Sequence, residues 1–145
     1  MNGQSDNFLY DFAIYNDIPI NKIMTLDKYN KEYGYFILNL DMDTNIGSNG
    51  THWVCLIHQV NNDNLRDIFY YFDSMGYQPP NYLINKIKPQ KCIYSNIQFQ
   101  EFSTNDKNCG IWCLIFLKLI LFFNKITLEE FNHILEYMKD IEIFY

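Results

Sequence analysis

The feature that most constrains the fold is an apolar segment at residues 111–123, in which Lys118 is the only charged residue. These thirteen residues are too few to cross a bilayer, because a membrane-spanning helix needs about 20. A helix that is apolar on all sides must be covered by protein on all sides. The sequence therefore predicts a buried central helix that begins near Cys109 and Gly110, directly after the polar segment 103–108.

The length and composition are those of one folded domain spanning residues 1–145. Domains typically contain about 100–150 residues. Apolar residues make up 48% of the chain and aromatic residues 18%, which is enough to build a core and excludes global disorder.

The remaining pattern predicts an α+β fold, with a mixed β-sheet packed against helices. Aliphatic and aromatic runs bounded by turn residues indicate strands, while caps and helical spacing indicate helices. The expected strands are residues 35–40, 52–57, 68–72 and 92–99. Besides the central helix, we expect a short helix opening at Asp6 or Asn7, one following Pro79-Pro80 to about Lys88, and one capped by Thr127 that runs to about Asp140.

Charge and cysteine content narrow the class of protein. The 11 basic and 17 acidic residues give a net charge of -6, which argues against a dedicated nucleic-acid binder. Residues 1–10 lack the basic and apolar regions of a secretory leader. We therefore expect the four cysteines to be free thiols in a reducing compartment and the protein not to be secreted. We also expect no membrane association.

Cys109 is the first candidate for chemistry, because the amino end of a helix favours a thiolate, which is the nucleophilic form of cysteine. An ordinary buried cysteine is the alternative. His52 opens one expected strand and Asp73 follows another, so pairing of these strands would bring a base and an orienting acid together. We expect the other histidines, His58 and His133, on the solvated surface.

Three ordered segments resemble the adenain-like cysteine proteases, a clan that includes the adenovirus endopeptidase and the ubiquitin-like-protein proteases. The small maturation proteases of large DNA viruses, virophages and related mobile elements are most similar. The segments are Thr51-His52-Trp53-Val54, Phe72-Asp73-Ser74-Met75-Gly76 and Asn108-Cys109-Gly110-Ile111-Trp112-Cys113-Leu114. The resemblance extends over roughly residues 7–123.

This resemblance implies a cysteine endopeptidase in which His52 is the base, Asp73 orients its ring and Cys109 attacks the peptide carbonyl. The family places an oxyanion-stabilising glutamine six or seven residues before the cysteine, where this chain has Ser103 and Phe102. Gln100 is then the candidate and Gln98 the alternative, although either could be a surface strand residue.

Two residues beside the triad are candidates for substrate binding. Trp53 could cover the triad or shape a substrate groove, but an ordinary half-buried strand aromatic has the same pattern. Gly110 would let a substrate approach Cys109 closely.

The expected role is maturation of viral capsid or core precursor proteins, with cleavage near glycine or other small residues. The expected location is the host cytoplasm, at the virus factory, and the virion. We expect a monomer with no cofactor, no metal and no DNA requirement. A zinc site formed by His52, Cys55, Cys109 and Cys113 is disfavoured by the Cys-x3-Cys spacing. The remaining alternatives are a deubiquitinase-like or deSUMOylase-like isopeptidase, an acyltransferase, and an inactive module that binds structural proteins.

Overall fold

Five strands form one mixed sheet in the part of the chain that the structure, a computed structural model, describes: residues 6–40, 52–61, 66–99, 108–120 and 126–141. Their spatial order equals their chain order. The inner pairs are antiparallel, whereas each outer strand runs parallel to its neighbour. The strands are β1 (Lys22–Thr25), β2 (Gly34–Asn39), β3 (Trp53–Asn61), β4 (Arg66–Phe72) and β5 (Lys91–Tyr94).

Helices cover both faces of this sheet, which confirms the α+β prediction. One face packs against α1 (Asp6–Tyr15), α3 (Cys109–Ile120) and α4 (Leu128–Met138). The other packs against α2 (Asn81–Ile87) and a 3-10 helix, Leu26–Lys28. Because successive side chains of a strand point to opposite faces, Cys55 enters the first core and Val54 and Leu56 the second.

The central helix is α3, and it begins at Cys109 as its sequence predicts. Most of its side chains are buried, and Lys118 is exposed, where its ammonium donates to the carbonyl oxygen of Asn16. The predicted cap of α4 is also present, because Thr127 Oγ1 accepts a hydrogen bond from the Glu130 amide at 3.1 Å.

Two details differ from the sequence prediction. β1 and the 3-10 helix were not predicted, since four residues carry little periodic signal and β1 pairs only with β2. The expected strand at 92–99 ends at Tyr94, because Ser95 Oγ accepts from the Ile97 amide and the Phe99 amide bonds to the Ser74 carbonyl instead of continuing a ladder. Residues 103–107 of the predicted polar segment 103–108 lie outside the described residues.

None of the helices in the described ranges is long and apolar enough to span a membrane.

Candidate active site

His52 and Asp73 lie where the two central strands end at the same edge of the sheet. His52 directly precedes β3, and its carbonyl oxygen accepts from the Leu40 amide at 2.9 Å, which continues the β2–β3 pairing by one step. Asp73 directly follows β4. His52 Nε2 and Asp73 Oδ1 are 2.7 Å apart, a short charge-assisted contact. The antiparallel register of β3 and β4 therefore builds the histidine–acid pair.

A tight turn holds the Asp73 carboxylate in place. The Met75 amide donates to Asp73 Oδ1 at 2.8 Å, and the Gly76 amide donates to the Asp73 carbonyl oxygen at 2.9 Å. Gly76 has φ +78°, and a Cβ there would lie 2.8 Å from the carbonyl oxygen of Asn96. The turn thus requires glycine for two reasons, the left-handed backbone and the close approach of the 95–99 segment.

Cys109 occupies the first residue of α3 and faces the beginning of β3. The first helical bond runs from the Trp112 amide to the Asn108 carbonyl oxygen at 2.8 Å. The Trp53 amide donates to Cys109 Sγ at 3.5 Å, and the His52 ring also hydrogen-bonds Cys109. Since Asp73 engages Nε2, Nδ1 is the ring nitrogen available to the thiol. His52 consequently stands between an acid and a sulfur atom.

The protonation of His52 is set by opposing influences. Burial is the largest single one and disfavours the imidazolium, but the hydrogen bonds to Asp73 and Cys109, together with the charges of these two groups, outweigh it. The net result raises the pKa of His52 from 6.5 to about 9. The ring is therefore an imidazolium at neutral pH, which is the partner that a thiolate needs.

The other three cysteines have a different environment, although all four are free thiols. Burial raises the pKa of Cys92 to about 12 and raises that of Cys113 well above its usual range. A hydrogen bond between Cys113 and Cys55 adds to the effect at Cys113. Cys92 and Cys113 are therefore poor nucleophiles. In the described part of the chain, no three His, Cys, Asp or Glu residues are grouped so that they could hold a metal ion.

The remaining predicted site residues are the two glutamines, Trp53 and Gly110. Gln98 is exposed, in the extended segment after β5, and Gln100 lies outside the described residues. The Trp53 side chain is 5% exposed and belongs to the core. The contact of Trp53 with Cys109 is made by its backbone amide, which sequence reasoning missed. Gly110 is buried. A role of either residue in substrate binding stays a prediction.

His58 is buried, so its predicted surface location is wrong, whereas His133 is exposed as predicted. The His58 ring stacks between Tyr33 and Phe69, with centroids 4.1 and 4.0 Å away. Nδ1 lies 3.0 Å from the Glu32 carbonyl oxygen and Nε2 lies 3.1 Å from Asp67 Oδ2. In this second histidine–aspartate pair, His58 belongs to the buried interior, and Tyr33, one of the two rings stacked on it, comes from a segment that is distant in sequence.

Comparison with solved structures identifies the fold. The chain superposes on the ASFV pS273R protease with a TM-score of 0.55 at 18% identity, covering 97% of this chain and 62% of that one. A selenomethionine structure of the same protease gives a TM-score of 0.47 at 20% identity, covering 89% and 65%. The sequence matches no protein-family model and no curated protein.

The chain therefore shares the fold of the ASFV pS273R protease. The chain spans about 62% of the length of the ASFV pS273R protease structure.

Proposed function

We propose that the protein is a cysteine endopeptidase in which Cys109, His52 and Asp73 form the catalytic triad. The observation that carries this proposal is the 2.7 Å contact between His52 Nε2 and Asp73 Oδ1. The same ring is hydrogen-bonded to Cys109, which lies at the amino end of a buried helix. The fold shared with the ASFV pS273R protease supports it.

In the proposed reaction, the Cys109 thiolate attacks the carbonyl carbon of the scissile peptide, forming a C–S bond. The His52 imidazolium then gives its proton to the leaving amine as the C–N bond breaks, which leaves a thioester. Neutral His52 next takes a proton from water, whose oxygen attacks the thioester carbonyl carbon. The C–S bond then breaks, which releases the acid product and restores the Cys109 thiolate beside the His52 imidazolium. Asp73 keeps the ring oriented throughout.

The oxyanion would be held by the Cys109 backbone amide and a glutamine side chain. Gln100 is the proposed donor and Gln98 the alternative. One such donor contributes about 3–4 kcal/mol to transition-state stabilisation in related chemistry.

For the substrate, we propose viral capsid or core precursor proteins cut near glycine or other small residues. The support is the named fold neighbour, which is a viral protease, together with the sequence resemblance to maturation proteases. This role would place the protein in the host cytoplasm and the virion, acting as a monomer without a cofactor or DNA.

The test is incubation of a candidate capsid precursor with the wild type, Cys109→Ala and the matched control Cys92→Ala. We expect cleavage by the wild type and the control but not by Cys109→Ala, and faster iodoacetamide labelling of Cys109 than of Cys92. Equal cleavage by all three would contradict the proposed nucleophile. Slow labelling of Cys109 without cleavage would favour an inactive binding module. Release of a fluorophore from the carboxyl terminus of ubiquitin, but no precursor cleavage, would favour an isopeptidase.

A further inference from the structure

A surface cavity of about 640 Å³ lies beside the turn that follows Asp73, and no residue of the proposed triad lines it. Tyr77 and Gln78, which directly follow the turn that holds Asp73, line it. Tyr94 and Asn96 at the end of β5 and Asn132 on α4 also line it.

The cavity is lined by residues of two hydrogen-bonded segments, the turn after Asp73 and the segment 95–99, which contains Gln98. Gly76 lines it and belongs to the Asp73 turn, where its amide donates to the Asp73 carbonyl oxygen at 2.9 Å. The Phe99 amide bonds to the Ser74 carbonyl oxygen at 2.7 Å, which ties the turn to the segment that contains Asn96 and Gln98. A ligand in the cavity would touch the supports of Asp73 and of a candidate oxyanion glutamine at once.

The lining predicts the chemistry of the ligand. The described residues around the cavity are all uncharged, although the whole chain carries a net charge of -6. They offer amide groups that both donate and accept hydrogen bonds, and two tyrosine rings that are 56% and 44% exposed at Tyr77 and Tyr94. Amide groups complement a peptide backbone, and tyrosine provides contact area at a low cost in conformational entropy.

We propose that this cavity is a docking site for an uncharged, amide- and aromatic-containing stretch of the substrate polypeptide, outside the bond that is cut. The proposal rests on the proposed protease function. It assigns Tyr77 and Tyr94 to substrate affinity and leaves the chemical step to the triad. Docking here would increase the local concentration of the scissile bond at Cys109.

Binding is tested by titrating isotope-labelled Cys109→Ala protein with the acetylated and amidated peptide Gly-Asn-Tyr-Asn-Gly, monitored by NMR. We expect the amide signals of Gly76, Tyr77 and Asn96 to shift. Adding Tyr77→Ala or Tyr94→Ala should raise the Kd at least tenfold. The matched control is Tyr137→Ala, since Tyr137 is a 62% exposed tyrosine on α4 that does not line the cavity.

Three results would overturn the docking site. The first is an equal peptide affinity of the Tyr77→Ala and Tyr137→Ala proteins. The second is equally tight binding of a peptide in which glutamate and lysine replace the two asparagines. The third is a shift of the Gly76, Tyr77 and Asn96 amide signals with maltohexaose but not with the peptide.

The docking site and the protease function fail in different ways. For a cleaved precursor, Tyr77→Ala should raise KM at least tenfold while the rate of Cys109 labelling by iodoacetamide stays at the wild-type value. Rapid labelling with an unchanged KM would overturn the docking site alone. Absence of precursor cleavage and slow labelling in the wild type would overturn the protease function, and a substrate-docking role with it.

Discussion

His52 Nε2 lies 2.7 Å from Asp73 Oδ1, and this contact joins the ends of β3 and β4 across the edge of the sheet. The two side chains differ in exposure, with 21% of His52 and 1% of Asp73 accessible to solvent. A buried carboxylate beside a partly exposed ring orients that ring and favours its charged form. The first two predictions follow from this arrangement.

Hydrolysis by the wild type should decline as the pH rises through about 9. The pKa of His52 is raised to about 9, so the imidazolium persists at neutral pH and is lost above that value. Without it, no proton is available for the leaving amine. The pH profile of kcat/KM measures this decline. Iodoacetamide labelling of Cys109, which needs only the thiolate, should not decline over the same range, and a parallel decline would contradict the assigned role of His52.

Replacing Asp73 with asparagine should lower kcat/KM by about 10³–10⁴-fold, by analogy with the loss of the acid from other triads. The substitution removes the negative charge that opposes the effect of burial on His52, so the pKa of His52 should fall and the decline of kcat/KM should begin below pH 9. Asp67→Asn, at the second histidine–aspartate pair, is the control. A rate reduction with no movement of the pH profile would contradict an electrostatic effect of Asp73 on the pKa of His52.

Gly76→Ala should destabilise the protein by about 1–3 kcal/mol, because the new Cβ would meet the Asn96 carbonyl oxygen in a left-handed backbone conformation. Chemical unfolding measures the loss of stability. Ser95→Ala, in the segment packed against the turn, tests whether the effect is particular to the glycine. An unchanged unfolding midpoint for Gly76→Ala would contradict the close approach of the two segments.

His58→Ala should cost about 2–4 kcal/mol of stability, since it empties a stacked, hydrogen-bonded site in the interior. His58 is six residues from His52 along one extended strand, a distance of about 20 Å, so Cys109 labelling should keep its rate in the folded variant. His133→Ala, at an exposed position of α4, should change stability by less than about 0.5 kcal/mol. Equal stability losses for His58→Ala and His133→Ala would contradict a stabilising role for the contacts of His58.

Much of the site could be predicted from local sequence patterns. The apolar run after Cys109 predicts a buried helix, and the runs at β3 and β4 predict strands, so pairing of these two strands would bring the side chains at their ends to one edge. The order of His52, Asp73 and Cys109 along the chain then indicated the protease fold, which comparison with the ASFV pS273R protease confirmed.

Contacts between segments far apart in the chain were decided only by the tertiary structure. His58 looks like a surface residue in its own strand, and it is buried because Tyr33 and Glu32, more than twenty residues earlier, cover its ring and accept its hydrogen bond. β1 carries little periodic signal of its own and is paired with β2 in the described part of the chain. The sequence by itself determined the four helices, strands β2, β3 and β4, and the residues that can do chemistry, because periodicity and capping are local. Only the tertiary structure decided the raised pKa of His52 and the uncharged cavity beside Asp73, because both depend on residues that folding brings together.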